Sequence, residues 1–83
     1  MDQSDIAQWL VDWFAERNPA VAPARDINYY DAGLVDSFGI IELIEEIEQQ
    51  YGILFDDDDF LRPEFRTIDG LAGIVAAKPT LQG

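Results

Sequence analysis

The chain has 83 residues, a formal net charge of -12, and neither Cys nor His. That charge repels nucleic-acid phosphates and anionic membranes and favours partners presenting Lys and Arg. The missing Cys and His remove disulfides, thiolate nucleophiles, sulfur-based zinc sites and the usual general base of a hydrolase.

Hydrophobic residues make up 48% of the chain, with two Trp, three Tyr and five Phe, which is too apolar for an acidic disordered tail. A chain this short buries only roughly 60% of its unfolded surface, so we expect a single compact domain over residues 1–83. No apolar run approaches the roughly 20 residues of a membrane span. Its start, Met1-Asp2-Gln3-Ser4-Asp5, is acidic where a signal peptide would be basic. The expectation is a soluble, cytoplasmic, monomeric protein, free-standing because Met1 directly precedes the first helical pattern. Self-repulsion at this charge predicts stabilisation by salt.

Ile6, Trp9, Leu10, Trp13 and Phe14 follow the i, i+3, i+4, i+7, i+8 template, predicting a first helix over 4–17 with Ser4 as its N-cap. Both tryptophans read as core. Asn18-Pro19 stops this helix, and Pro23 and Gly33 punctuate a long loop to Asp36. Val21, Ile27, Tyr29, Tyr30, Leu34 and Val35 are the residues expected to pin that loop across the helices.

Ile40, Leu43, Ile44, Ile47 and Tyr51 share one arc of a second helix over 37–50, with Glu42, Glu45 and Glu46 opposite and Gly52 placed as its C′ residue. A short helix is expected over 60–65. Thr67 reads as the N-cap of a last helix over 68–77, with Ile68, Leu71, Ala72 and Val75 on its buried face. Gly70 and Gly73 weaken it by up to roughly 1 kcal/mol each, and residues 78–83 read as a frayed tail. The fold class is all-α: three longer helices, one short helix and a long first loop.

Every charged residue from Asp31 to Leu61 is acidic, and within that stretch Asp36-Ser37-Phe38 opens the second helix. Ser37 has two readings: an N-cap hydroxyl, with Asp36 competing for the role, or a residue that other enzymes modify. The run Gly33-Leu34-Val35-Asp36-Ser37-Phe38-Gly39-Ile40-Ile41-Glu42-Leu43, continuing to Tyr51-Gly52-Ile53, resembles the attachment segment of the acyl and peptidyl carrier proteins. The likeness extends more loosely from Ile6 to about Val75.

That resemblance implies a four-helix bundle whose serine, here Ser37, receives 4′-phosphopantetheine. Asp36 matches the aspartate that presents the site to the transferase and its Mg²⁺. Phe38, Ile41 and Glu42 match partner-facing positions, with Glu45 and Glu48 further along the same acidic helix. Leu43, Ile44, Ile47 and Tyr51 match core positions.

Glu45 stands where carriers of fatty acid synthases commonly have an apolar docking residue, and a carboxylate is costly to desolvate in a greasy pocket. The segment thus looks closer to D-alanyl carrier proteins and other free-standing aminoacyl carriers. The implied partners are a phosphopantetheinyl transferase, an ATP-dependent adenylating ligase for acyl or aminoacyl groups, and a downstream acyl- or aminoacyltransferase. The implied role is non-catalytic, in specialised metabolism such as aminoacyl, polyketide or nonribosomal peptide pathways. A phosphodiester on Ser37 would also suit a helix N-terminus on physical grounds.

Other readings are weaker. Asp56 to Asp59 lack the spacing, central Gly and terminal Glu of a calcium loop, so they read as a solvated face and no metal site is expected. A serine-dependent enzyme would need a positioned base. An acidic helical adaptor, with Ser37 never modified, is the alternative that composition permits.

Overall fold

The computed structural model describes residues 2–80. It has helices α1 (Gln3–Arg17), α2 (Ser37–Tyr51), α3 (Asp57–Leu61) and α4 (Ile68–Ala77), with a 3₁₀ turn at Pro63–Arg66. Among the described residues a single isolated β-bridge joins Asn28 and Thr67, and there is no β-strand. The all-α bundle of three longer helices and a short one is therefore as expected. No helix among the described residues is long and apolar enough to cross a membrane.

α1 buries Ile6, Leu10, Trp13 and Phe14 and packs directly on α4, whose Ile68, Leu71, Ala72, Ile74 and Val75 are buried. Ile40, Leu43 and Ile47 of α2 complete the same core. The apolar periodicity thus sorts correctly onto buried faces, because each amphipathic stripe can leave water only by meeting the others. Trp9 is half-buried, edge-on to Tyr51 at 5.8 Å between ring centroids.

α1 starts one residue earlier than predicted, and Ser4 is not its cap. Asp2 is the N-cap, accepting the Ser4 N–H at 2.9 Å; its carboxylate bonds the orphan donor with charge assistance a hydroxyl lacks. Thr67 caps α4 as expected, its hydroxyl accepting the Gly70 N–H at 3.0 Å. α2 ends on Gly52 in the left-handed region at φ 64°, as its sequence position suggested.

The long loop is tied down by its backbone as much as by its side chains. Tyr29 N–H donates to the Arg66 carbonyl at 3.1 Å, and Asp69 N–H donates to the Arg25 carbonyl at 3.0 Å. Tyr29 is fully buried and its hydroxyl donates to the Phe65 carbonyl. Burial, with Tyr30 beside it and Arg66 opposing, pushes that phenol well above its ordinary pKa. Leu34 is buried too, but Val21, Ile27 and Tyr30 remain largely exposed, so the apolar side chains that pin the loop lie in its second half, while Arg25 ties the first half to α4.

The short helix differs from expectation. It begins within the aspartate run, at Asp57, and ends at Leu61; the segment after it forms a separate 3₁₀ turn. Asp59 reaches back to accept the Asp56 N–H at 2.7 Å, and aspartates in a first turn complement the helix dipole. Pro63 opens the 3₁₀ turn, where its missing N–H costs nothing.

Nor is the aspartate run simply a solvated face. Asp59 is 7% exposed and lies 2.6 Å from Lys78 Nζ, which also reaches Asp56 at 3.5 Å. Burial favours the neutral acid, but the Lys78 hydrogen bond, the Asp56 N–H and the nearby positive charges outweigh it, leaving the Asp59 pKa below its usual value. Lys78 is therefore not part of a free tail. The expected tail over residues 81–83 lies outside the described residues.

Candidate functional site

The loop delivers the chain to α2 through Asn18, whose side-chain amide donates to the carbonyls of Phe14 at 3.0 Å and Leu34 at 2.9 Å. One residue thus closes α1 and fixes the run-in to the second helix. Asp36 follows in extended conformation as the N-cap of α2, its Oδ1 accepting the Gly39 N–H at 2.7 Å and its carbonyl accepting the Ile40 N–H at 3.0 Å.

Ser37 is consequently the first residue inside α2 and not its cap. It is exposed, and among the described residues its hydroxyl makes no hydrogen bond. The competing capping role for Ser37 is filled by its neighbour. Among the first-turn donors, those of Gly39 and Ile40 are satisfied by Asp36, which leaves the N–H groups of Ser37 and Phe38 facing outward without an intrahelical partner.

The other residues singled out from sequence lie along α2 with different commitments. Phe38 is 80% exposed and Ile41 is 55% exposed, an apolar pair beside Ser37 that the core does not use. Glu45 is exposed as well. Glu42 is exposed but shares Arg17, at 3.3 Å, with Glu46. Glu48 is half-buried and accepts the Phe55 N–H at 3.0 Å, fastening the chain that leaves α2. Ile44 and Tyr51 are partly buried against the core.

Two cavities flank this end of α2. One, about 580 Å³, lies between the C-terminus of α1 and the N-terminus of α2 and is walled by Arg17, Val35, Asp36, Phe38 and Glu42. The other, about 450 Å³, lies under Ile40 and Ile44, with Tyr30, Phe60, Phe65 and Arg66 around it. No group of three or more Asp, Glu, His or Cys that could hold a metal ion occurs among the described residues.

Sequence reasoning missed Arg17 and Asn18 at this site. Both act across the loop, and only their position just ahead of Pro19 hinted that they stand where the first helix ends.

The family described as "Phosphopantetheine attachment site" matches residues 8–75. The chain is similar to the D-alanyl carrier protein of Bacillus velezensis, 37% identical over 65 residues that cover 76% of this chain and 83% of that protein. It is similar to D-alanyl carrier protein 1 of Lactiplantibacillus plantarum, 37% identical over 62 residues, 75% of this chain and 74% of the relative. The D-alanyl carrier protein of Bacillus subtilis is 35% identical over 65 residues, 76% of this chain and 83% of the relative.

Proposed function

The chain belongs to the phosphopantetheine attachment-site family, and from that membership we propose that Ser37 is the attachment residue and that the cargo is an aminoacyl group. The observation that carries the attachment residue is the division of labour at the start of α2: Asp36 caps the helix, so the Ser37 hydroxyl is exposed and uncommitted.

These residues fit the group. A phosphodiester on Ser37 would stand before the unpaired N–H groups of Ser37 and Phe38 and at the positive end of a 15-residue helix. In the modification the Ser37 Oγ–phosphorus bond forms as the pyrophosphate bond of coenzyme A breaks. Adenosine bisphosphate leaves, and the hydroxyl proton passes to the transferase. When bound, phosphopantetheine supplies a flexible arm ending in a thiol, on which acyl or aminoacyl groups ride as thioesters.

The protein's own contribution is position and address; it catalyses nothing itself. Phe38 and Ile41 offer apolar contact beside the attachment point, while Asp36 and Glu45 offer charge to a basic partner face. Glu42 and Glu48 add to the acidic rim of that surface, Glu42 with one oxygen paired to Arg17 and Glu48 with one accepting the Phe55 N–H. The partners are a phosphopantetheinyl transferase, an ATP-dependent adenylating ligase and a downstream acyl- or aminoacyltransferase. All would act in the cytoplasm on a monomeric carrier. The names of the relatives make D-alanine the first cargo to try. The acidic-adaptor alternative leaves the family match unexplained.

Two assays test this. Incubation with coenzyme A and a broad-specificity transferase, read by intact mass, should add one phosphopantetheine to the parent and none to Ser37→Ala. No gain on a folded parent, with the transferase active on a control carrier, refutes the attachment. Ligase-dependent loading across amino acids and fatty acids should favour amino acids; acceptance of long-chain acyl groups alone refutes the cargo.

A further inference from the structure

Gly39 stands in the first turn of α2, two residues after Ser37, and its N–H is the donor that Asp36 Oδ1 accepts at 2.7 Å. Apart from proline, glycine is the least favourable residue in a helix, because it loses the most conformational freedom there. Its presence at the start of a 15-residue helix calls for a reason in its surroundings.

That reason is space. A Cβ on Gly39 would lie 2.6 Å from Val35 Cγ2 and 3.2 Å from Asp36 Oδ1. Neither atom is free to retreat. Val35 is β-branched, hence stiff about χ1, and it is half-buried against the core. Asp36 Oδ1 is the capping atom itself. An added methyl would therefore press on the oxygen that holds the cap and on the residue just before it.

Ser37 is the alternative cap. A capping serine accepts an N–H two or three residues ahead, which from Ser37 means that of Gly39 or Ile40. Displacing the Asp36 carboxylate orphans the first of these. Ser37 can then take it by leaving the helix, which shortens α2 by one residue. A serine oxygen that accepts a backbone N–H has a lone pair occupied and its rotamer fixed, so it must give up the cap before it attacks phosphorus.

We propose that Gly39 is a positioning residue for the modification of Ser37. Its missing side chain lets Val35 and Asp36 close over the first turn, so the cap stays on Asp36 and the serine oxygen stays free to react. This inference rests on the attachment at Ser37 proposed above.

The test measures kcat and KM for phosphopantetheine transfer from coenzyme A to the wild type, Gly39→Ala, Val35→Ala and the double variant, each checked for folding by circular dichroism. Giving up a serine cap corresponds to a step slowed about fivefold. Gly39→Ala should accordingly lose about fivefold in kcat, while KM holds because the exposed face of α2 is untouched. Removing the Val35 methyls makes room for the added carbon, so the double variant should match Val35→Ala. An unchanged kcat in a folded Gly39→Ala, a loss carried by KM alone, or a loss that Val35→Ala does not relieve overturns the inference and leaves the carrier reading standing. If Gly39→Ala does not fold, a double variant slower than Val35→Ala overturns the inference and one that matches it supports it. No mass gain on the folded wild type overturns both.

Discussion

Replacing Lys78 by Met keeps the aliphatic stem and removes the charge that faces Asp59. The two side chains are 12% and 10% exposed and their charged atoms are 2.6 Å apart, so the change strands a carboxylate in a nearly dry site. Removing one partner of a fully buried pair costs about 3–5 kcal/mol. Here some water access remains and Asp59 still accepts the Asp56 N–H, which places the expected loss at about 2–3 kcal/mol. For a domain of this size that is a fall in Tm of about 10–20 °C.

The pH dependence follows from the direction of each shift. The Asp59 pKa is lowered in the fold, so its contribution is present above the unfolded value, about 3.9, and is lost as pH falls through the folded one. For Lys78, burial lowers the pKa, but the hydrogen bond and charge of Asp59, with Asp56 adding, raise it overall. Its contribution is therefore full below the unfolded value, about 10.4, and is lost as pH rises through the folded one. In Lys78→Met the stranded Asp59 should prefer its neutral form, so the deficit relative to wild type should shrink toward about pH 4. Urea unfolding across pH measures this. A deficit below about 0.5 kcal/mol at neutral pH, the range of ordinary surface changes, or one that does not vary in acid, would refute the reasoning. Asp59→Asn combined with Lys78→Met should recover part of the loss, closing a double-mutant cycle.

Asp36→Ala removes the cap of α2 and should cost about 1 kcal/mol, seen as a lower Tm, whereas Ser37→Ala should leave Tm nearly unchanged. The two glycines of α4 should respond with opposite signs. A Cβ on Gly70 would come within 2.8 Å of the Glu64 Cα and carbonyl carbon, so Gly70→Ala should destabilise by about 1–3 kcal/mol despite the better helix propensity of Ala. A Cβ on Gly73 would meet only the Gln3 side chain, at 3.3 Å, so Gly73→Ala should be neutral or stabilising by up to about 1 kcal/mol. Equal effects at the two positions, measured by denaturant unfolding, would count against both assignments.

How much of this was legible in the sequence depended on the range of the interaction. The helical stripes of α1, α2 and α4 were readable because periodicity is local and burial follows from it. So was the family resemblance, since the residues that carry it, from Gly33 to Ile53, are contiguous. Cap identities were only half readable: Thr67 and Gly52 were placed correctly, but the cap of α1 is Asp2, two residues ahead of the expected Ser4, because its carboxylate reaches the Ser4 N–H. The remaining surprises are contacts between distant residues. Gly70 looked like a flaw in α4 until Glu64 was seen to pass over it, and the pairing of Lys78 with Asp59 spans a turn whose path no local pattern dictates. Arg17, likewise, was one isolated charge in the sequence and became part of the site only through the packing of α1 beside α2.

The natural chain contains no cysteine, and the fold does not depend on the Ser37 side chain, since Asp36 supplies the cap. A Ser37→Cys protein would accordingly carry a single thiol in the whole molecule, at a helix N-terminus where thiolates are favoured. Any maleimide or disulfide reagent would then attach its load at that one atom. The start of α2 is in this sense a socket already insulated from the rest of the molecule, open to synthetic arms of chosen length and stiffness without protecting any other residue.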